Sequence, residues 1–413
     1  MTGNASGVIK RRIRLLTGLA ASLLLSSPAA AQVGAISRQA AVEAALTRGA
    51  RLAMANADTA ASAAQVGLAR QWQNPTISAS YSKDVPQRHY AVDLPLDLPY
   101  IRQPRIAAAV TAQRAMRARF AYERASVAME ADTTYTRALA ARALAVLSAR
   151  TAQDADSLRR MAIARRDAGD ASDMDVVLAT ITAGQAANDA MTDSLAYIAA
   201  VLDLQVVMGL TDGDVRIELA DSLGDPPPAP RAVRGRSLAV AAAEDRAESA
   251  ALTVRVEQRS VIGPPSVTAG WDAGDPGGST QGRLPMFGLA IPIPLFHRNT
   301  AAIALARAEA MRARAELSLV TVLSRTERER AEREYTAARA RLVRDDALAG
   351  EAERVATMAM TAYREGAVAL PAVLEARRAA RAVLAQRIRD AADVWVAAAE
   401  LQVLTLTAAT AAP

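Results

Sequence analysis

The feature that most constrains this sequence is that a long part of it occurs twice. The stretch from Leu94 to about Leu210, moved forward by about 197 residues, falls on a second copy of itself without a gap. Leu94-Pro95-Leu96 meets Ile291-Pro292-Ile293, and Ile106 meets Ile303. The run from Met161 to Gly169 meets the run from Met358 to Gly366, and Val176 and Ala179 meet Val373 and Ala376. A constant offset over so long a stretch means a duplicated unit. It also means that two long elements have matched lengths, as they must if both span the same distance.

Composition narrows the choices. Ala and Arg dominate long runs, which favours helix, and Phe occurs only three times, which argues against one thick globular core. The chain has no cysteine, so it has no disulfide framework, no thiolate nucleophile, no Cys metal site and no lipidated N-terminal Cys. The formal net charge of +6 overstates its basic character. Lys10, Arg11, Arg12 and Arg14 precede an apolar stretch, Leu15 to Leu25, that ends at Ala29-Ala30-Ala31 before Gln32. This is the pattern of a secretory signal peptide over residues 1–31, removed after Ala31. Elsewhere basic and acidic residues alternate, as in the run from Glu327 to Glu334. On a helix that pattern makes a solvated, salt-bridged face rather than a nucleic-acid-binding surface. No later segment reads as a membrane helix, since the best stretch, Leu195 to Leu210, is interrupted by Asp203.

The first repeat, residues 32–220, opens with a helix from Ser37 to about Arg70 that Asn74-Pro75 stops. Ile77, Ala79 and Tyr81 alternate with Thr76, Ser78 and Ser80, which predicts a strand over about 75–83. A second strand follows over about 88–98. Pro104 suits a first helical turn, and the pattern then continues to about Arg166 without proline or glycine. That is roughly 60 residues, or about 90–100 Å of helix, a rod that reads as a coiled-coil element with Ala-rich seams. Gly169 lies in a tight turn, and a helix over about 174–210 returns. A Pro-rich linker, 221–236, leads to the second repeat, 237–413. There the strands fall at about 265–273 and 287–295 and the long helices at about 299–364 and 371–406, with Asn299 as a candidate cap.

Each repeat thus supplies a hairpin of short strands and a very long helical hairpin. Apolar and small polar residues alternate in the strands, and Tyr81, Tyr90, Trp271, Phe287 and Phe296 cluster there. This is the pattern of a membrane barrel with apolar side chains outward, a polar lumen and an aromatic girdle. Four strands cannot close a barrel, which needs about eight, and lipid does not tolerate open strand edges. A barrel therefore requires oligomerisation, and three copies supplying twelve strands is the natural count.

The duplicated strand–strand–helix unit, the phrase from Gly288 to Phe296 leading to Arg298-Asn299, and the tip sequence from Tyr363 to Glu375 resemble the outer-membrane factors of the TolC type. The resemblance covers essentially the whole mature chain. It implies a homotrimer in the outer membrane of a Gram-negative bacterium. Such a trimer forms a twelve-stranded barrel and a periplasmic coiled-coil tunnel. Its implied partners are outer-membrane lipid, a periplasmic adaptor (membrane fusion) protein and an inner-membrane pump of the RND type. The Ile-Pro-Ile-Pro-Leu-Phe phrase is similar to the branch serving heavy-metal efflux, typified by CzcC. The resemblance also places function at the helix tips. Asp175 and Tyr363 match positions that hydrogen-bond between neighbouring helices to hold the tunnel shut. Glu375 matches an acidic residue of the pore ring, while Arg364 and Asp173 are candidate compensating residues. The adaptor would contact Gly169, Asp170, Ser172, Gly366, Ala367 and Val368. The sequence departs from the pattern at Val368, where an Arg is usual, and at Ala372, where an acidic residue is usual.

No enzyme site, cofactor motif or phosphate loop emerges. The two histidines, His89 and His297, sit at strand ends in different repeats and fall short of a metal site, which takes three or four ligands. Two rivals remain. A periplasmic coiled-coil adaptor or scaffold that never enters lipid would also carry a long helical hairpin, though normally one flanked by β-rich modules. A porin would have many more strands.

Overall fold

The computed structural model describes residues 35–210, 217–230, 235–274, 283–296 and 298–407. The expected signal peptide and His297 lie outside the described residues. In chain order the elements are α1 (Arg38–Arg48), α2 (Ala50–Arg70), β1 (Thr76–Tyr81), β2 (Arg88–Pro95), α3 (Pro99–Asp167) and α4 (Asp173–Val207). The second repeat supplies α5 (Leu238–Arg259), β3 (Ser266–Ala273), β4 (Leu284–Ala290), α6 (Thr300–Arg364) and α7 (Leu370–Thr405). The rods α3 and α6 are 69 and 65 residues long, each about 100 Å at 1.5 Å per residue.

The four strands form one antiparallel sheet in the order β1-β2-β3-β4. Its central pairing joins the two repeats, with Tyr90 opposite Trp271 and Val92 opposite Ala269. Both hairpin turns therefore lie at one end of the sheet, and the strands feed the rods at the other. The helices repeat this order: α4 packs on α3, α3 on α7, and α7 on α6. The flanks of the protomer are β1 and β4 above and α4 and α6 below.

Four local expectations need correction. The N-terminal helix is two helices, broken at Gly49, where the backbone is extended (ψ 124°) and an added Cβ would lie 2.4 Å from the Ala45 carbonyl oxygen. The rod α3 starts at Pro99, which leaves Pro104 inside it. A proline there removes the amide that would bond to the carbonyl four residues earlier. That carbonyl, on Tyr100, instead accepts a hydrogen bond from Arg259 Nη1 at 2.8 Å. Strand β4 starts earlier and ends at Ala290, because Pro292 and Pro294 have no amide for a ladder. Asn299 does not cap α6 with its side chain. It adopts φ 52°, and its Nδ2 donates to Glu257 and Ser260 at the end of α5.

Midway along the rods the chain is clasped to itself. Ile36 pairs with Leu219 in a parallel bridge. Arg142 donates Nη1 to the Leu219 carbonyl at 2.7 Å and Nη2 to the Asp221 carbonyl. The fully buried Tyr135 hydroxyl donates to the Ile36 carbonyl at 2.8 Å and lies 2.9 Å from Asp221 Oδ2. Desolvation by burial, followed by the bond to Asp221, pushes the Tyr135 hydroxyl pKa up to about 12. Asp221 is held below the usual carboxyl range, first by the Arg38 amide and then by Tyr135. The linker is thus anchored on both repeats, with Trp395 Nε1 donating to the Gly224 carbonyl at 3.1 Å.

Candidate functional site: the strand sheet and the helix tips

The sheet sorts its side chains by the two-residue period of a strand. One face carries Ile77, Ala79, Tyr81, Tyr90, Val92, Leu94, Val267, Ala269, Trp271, Pro285, Phe287 and Leu289, with only Arg88 among them charged. The opposite face carries Ser78, Ser80, His89, Asp93, Thr268 and Asp272 at the paired positions. Its polar groups satisfy one another across the join between repeats. His89 Nδ1 lies 2.8 Å from Asp272 Oδ1, and Thr268 Oγ1 donates to Asp93 Oδ1 at 2.8 Å. Among the described residues nothing covers the apolar face: Ile77 is 80% exposed and Phe287 is 81% exposed. Leaving such a contiguous apolar surface to water is unfavourable and marks a lipid or protein contact.

The five aromatics do not form one ring. Tyr90 and Trp271 stack with centroids 5.5 Å apart near the hairpin-turn end, with Tyr81 close to the same end. Phe287 sits opposite Ala269, on the row of Val92 and Ile77, and so lies in the middle of the apolar band. Phe296 lies beyond the last strand and is fully exposed.

The two helix tips are built alike. Gly169 and Gly366 both take positive φ, 82° and 76°, a conformation that costs residues with a Cβ. In the first turn the amides of Gly169 and Asp170 bond to the Arg166 and Arg165 carbonyls. In the second, Gly366 and Ala367 bond to Tyr363 and Ala362. This is the Schellman closure that satisfies the last carbonyls of a helix. A buried cluster of Leu158, Ala162, Ala179, Met360, Tyr363, Leu370 and Val373 ties the tips of all four long helices together, with Val368 packed against it.

The structure redistributes the expected tip residues. Asp175 does not meet Tyr363 within the protomer. Its Oδ2 accepts from the Ser172 hydroxyl at 2.9 Å and from the Ser172 amide at 3.2 Å, a capping box at the start of α4. Tyr363 is 3% exposed, and its hydroxyl is buried without a hydrogen-bond partner among the described residues. Asp173 is exposed and lies 3.8 Å from Arg166. Asp170, Arg364, Glu365 and Glu375 are exposed. The residue that sequence reasoning missed is Arg165. It touches Tyr363 through both the backbone and the ring. The only signal for it was a break in the repeat, since Arg165 falls on Ala362. Among the described residues no cluster of three metal-ligating side chains occurs.

This architecture is the TolC-type outer-membrane-factor fold. A membrane protein from Pseudomonas aeruginosa aligns with TM-score 0.75 at 18% identity, over 90% of each chain. CusC, studied for conformational changes that accompany folding and transmembrane channel formation, aligns with TM-score 0.74 at 15% identity, over 90% of this chain and 92% of its own. The CmeC outer membrane channel of Campylobacter jejuni gives 0.74 at 14% identity, over 89% of this chain and 85% of its own. No protein-family model matches the sequence, and no curated protein matches it significantly.

Proposed function

We propose that this protein is the outer-membrane exit duct of a tripartite efflux system. After removal of residues 1–31, three copies join edge to edge, β4 of one to β1 of the next, into a twelve-stranded barrel. The observation that carries this reading is the four-stranded sheet with two open edges and an uncovered apolar face. Lipid accepts such a sheet only when its edges are closed, and closure needs further copies. The rods then line a periplasmic tunnel.

The duct conducts passively, and an inner-membrane pump of the RND type supplies energy and selects the cargo. A periplasmic adaptor joins pump to duct at the turns, where Gly169, Asp170, Ser172, Gly366 and Ala367 face outward and Val368 sits at the edge. Cargo in this reading is a heavy-metal cation. The narrow end carries Asp170, Asp173 and Glu375, and threefold repetition of exposed carboxylates raises local cation concentration. A conduit need not bind its ion tightly, since weak binding lets the ion leave.

The test is the state of the protein in the cell envelope. A duct appears in the outer-membrane fraction as heat-resistant trimers that need detergent for extraction. A protein released without detergent, as a monomer, instead supports the periplasmic scaffold.

A further inference from the structure

The apolar face of the sheet ends, at its turns, in a row of different chemistry. Tyr81 pairs with Arg88, and Arg88 with Ala273. Arg283 immediately precedes β4 and is next in line, since Asp272 pairs with Leu284. The row is therefore Tyr81, Arg88, Ala273, Arg283. Neighbouring strands lie about 4.8 Å apart, so the two arginines leave the backbone about 10 Å apart with only the Ala273 methyl between them. Beneath the row lie Tyr90 and Trp271, stacked on each other, and the Arg283 guanidinium is 5.7 Å from the Trp271 ring centroid. Beneath those come Val92, Ala269 and Phe287 of the apolar band.

Both arginines are exposed, and neither makes an ion pair among the described residues. The carboxylates of this end do not answer them. Asp272 belongs to the opposite face and is engaged by His89 at 2.8 Å. Asp84, in the β1–β2 turn, makes no ion pair among the described residues. The rod end of the sheet differs. There Arg102 and Arg105 share Asp97, at 3.4 and 2.6 Å, and Arg259 donates to the Tyr100 carbonyl. Those three arginines are matched, whereas Arg88 and Arg283 are not. An arginine on a lipid face is tolerated at the interface, where its head leaves the hydrocarbon. Tyr and Trp settle at the same headgroup level. A guanidinium there binds phosphate through paired N–H···O bonds.

We propose that the Arg88–Ala273–Arg283 row docks the phosphate groups of the outer-leaflet glycolipid. The inference rests on the duct reading, which puts the rods in the periplasm and hence the turns at the outer surface. The outer leaflet of a Gram-negative outer membrane presents phosphorylated sugars carrying several acyl chains. The phosphates meet the two guanidinium groups, Ala273 leaves the gap that admits them, and the chains run down over Tyr90, Trp271 and Phe287.

The test is native mass spectrometry of the full-length protein, released from detergent with diphosphoryl lipid A, dephosphorylated lipid A or phosphatidylglycerol at equal concentration. Wild type retains diphosphoryl lipid A at least about tenfold better than the dephosphorylated form, the difference expected of one charge-assisted hydrogen bond. Arg88→Gln with Arg283→Gln removes that preference, and Lys83→Gln, which removes a charge from the turn, keeps it. Arg283 lies outside the ladder, so Arg283→Gln alone carries the test, with a partial loss, if the double variant does not assemble. An unchanged preference in the arginine variants overturns the site. Equal loss in Lys83→Gln assigns the effect to general turn charge and also overturns it. Phosphatidylglycerol retained as tightly as lipid A, with the same dependence on the arginines, overturns the glycolipid assignment. In each of these cases heat-resistant trimers persist and the duct stands. A wild-type protein that is soluble without detergent and retains no lipid overturns both readings.

Discussion

The returning helices α4 and α7 occupy equivalent places in the two repeats, yet they present opposite surfaces. α7 carries Arg377, Arg378, Arg381, Arg387 and Arg389 and buries 13 residues, among them Val373, Val394 and Leu401. α4 has no Lys or Arg and buries only Ala179, Ala186, Leu204 and Gln205. It exposes Met174, Val177, Ile181, Met191, Leu195, Ile198, Leu202 and Val206. Apart from the gap between Ile181 and Met191, those positions recur at the three- and four-residue steps of a coiled-coil seam. Among the described residues α4 is the one helix apolar and long enough to cross a membrane by composition. Its packing along α3 gives that apolarity another use. α7 lies between α3 and α6, so its own chain covers it. α4 lies on a flank with its apolar seam exposed, and in the proposed trimer a helix of another copy would cover it.

The largest expected effect comes from making α4 resemble α7. Ile181 falls on Arg378 under the repeat offset, and Ile181→Arg with Ile198→Arg places two unpaired guanidinium groups in the seam. Burying such charges costs several kcal/mol, so trimers vanish on unheated gels, while Arg378→Ile keeps them. Trimers surviving the α4 change would show that the seam is not the subunit contact.

Next come the buried tyrosines of the two repeats. Tyr135→Phe leaves the Ile36 carbonyl and Asp221 short of a donor, which costs about 1–3 kcal/mol. Tyr335→Phe loses one bond, to the Pro227 carbonyl, and costs about 1 kcal/mol. Thermal melting followed by helical circular dichroism ranks the two, and an equal cost would break the contrast.

The repeats also differ in their response to pH. A hydrogen bond to Asp390, then desolvation, raises the Asp345 carboxyl above its usual range. Burial pushes Asp390 up, but bonds from Asp345, Arg341 and Gln386 hold it low. A raised acid stabilises the fold while protonated, so this contribution is full in acid and is lost as pH rises through the Asp345 value. Asp221 is lowered, so its contribution is present at neutral pH and is lost as pH falls through its folded value. Asp345→Asn therefore raises the melting temperature at neutral pH and does little in acid. Asp221→Asn lowers the melting temperature at neutral pH. The same shift at every pH in both variants would contradict this assignment.

The smallest difference between the repeats is at the turns, where they agree. Gly169→Ala and Gly366→Ala each cost about 1–2 kcal/mol for a left-handed residue with a Cβ. Their costs match, because an added Cβ at Gly366 meets only Arg165 Nη2, at 3.7 Å, and one at Gly169 meets nothing within 4 Å. Unequal melting shifts would reveal a difference between tips that the backbone does not display.

What could be read from the residues was periodic. The repeat offset, the alternation from Thr76 to Tyr81 and the uninterrupted rods each rest on many residues acting alike. What was missed depends on single partners distant in sequence. Pro104 is tolerated inside α3 because Arg259 supplies the Tyr100 carbonyl with a donor. Asn299 turns away from α6 because Glu257 and Ser260 accept its amide. Asp175 matched a gate position by spacing, yet Ser172 three residues earlier captures its carboxylate. Arg165 looked like one more basic residue at a helix end, and only the fold brings Tyr363 to it. Phe287 read as an interfacial aromatic, but the register with Ala269 puts it mid-band.

The central claim is that three copies of this chain form a conducting pore. Its most direct test is single-channel recording of the purified wild-type protein in a planar bilayer. The account predicts discrete, cation-selective steps. A protein that stays soluble without detergent and never produces a step would contradict it.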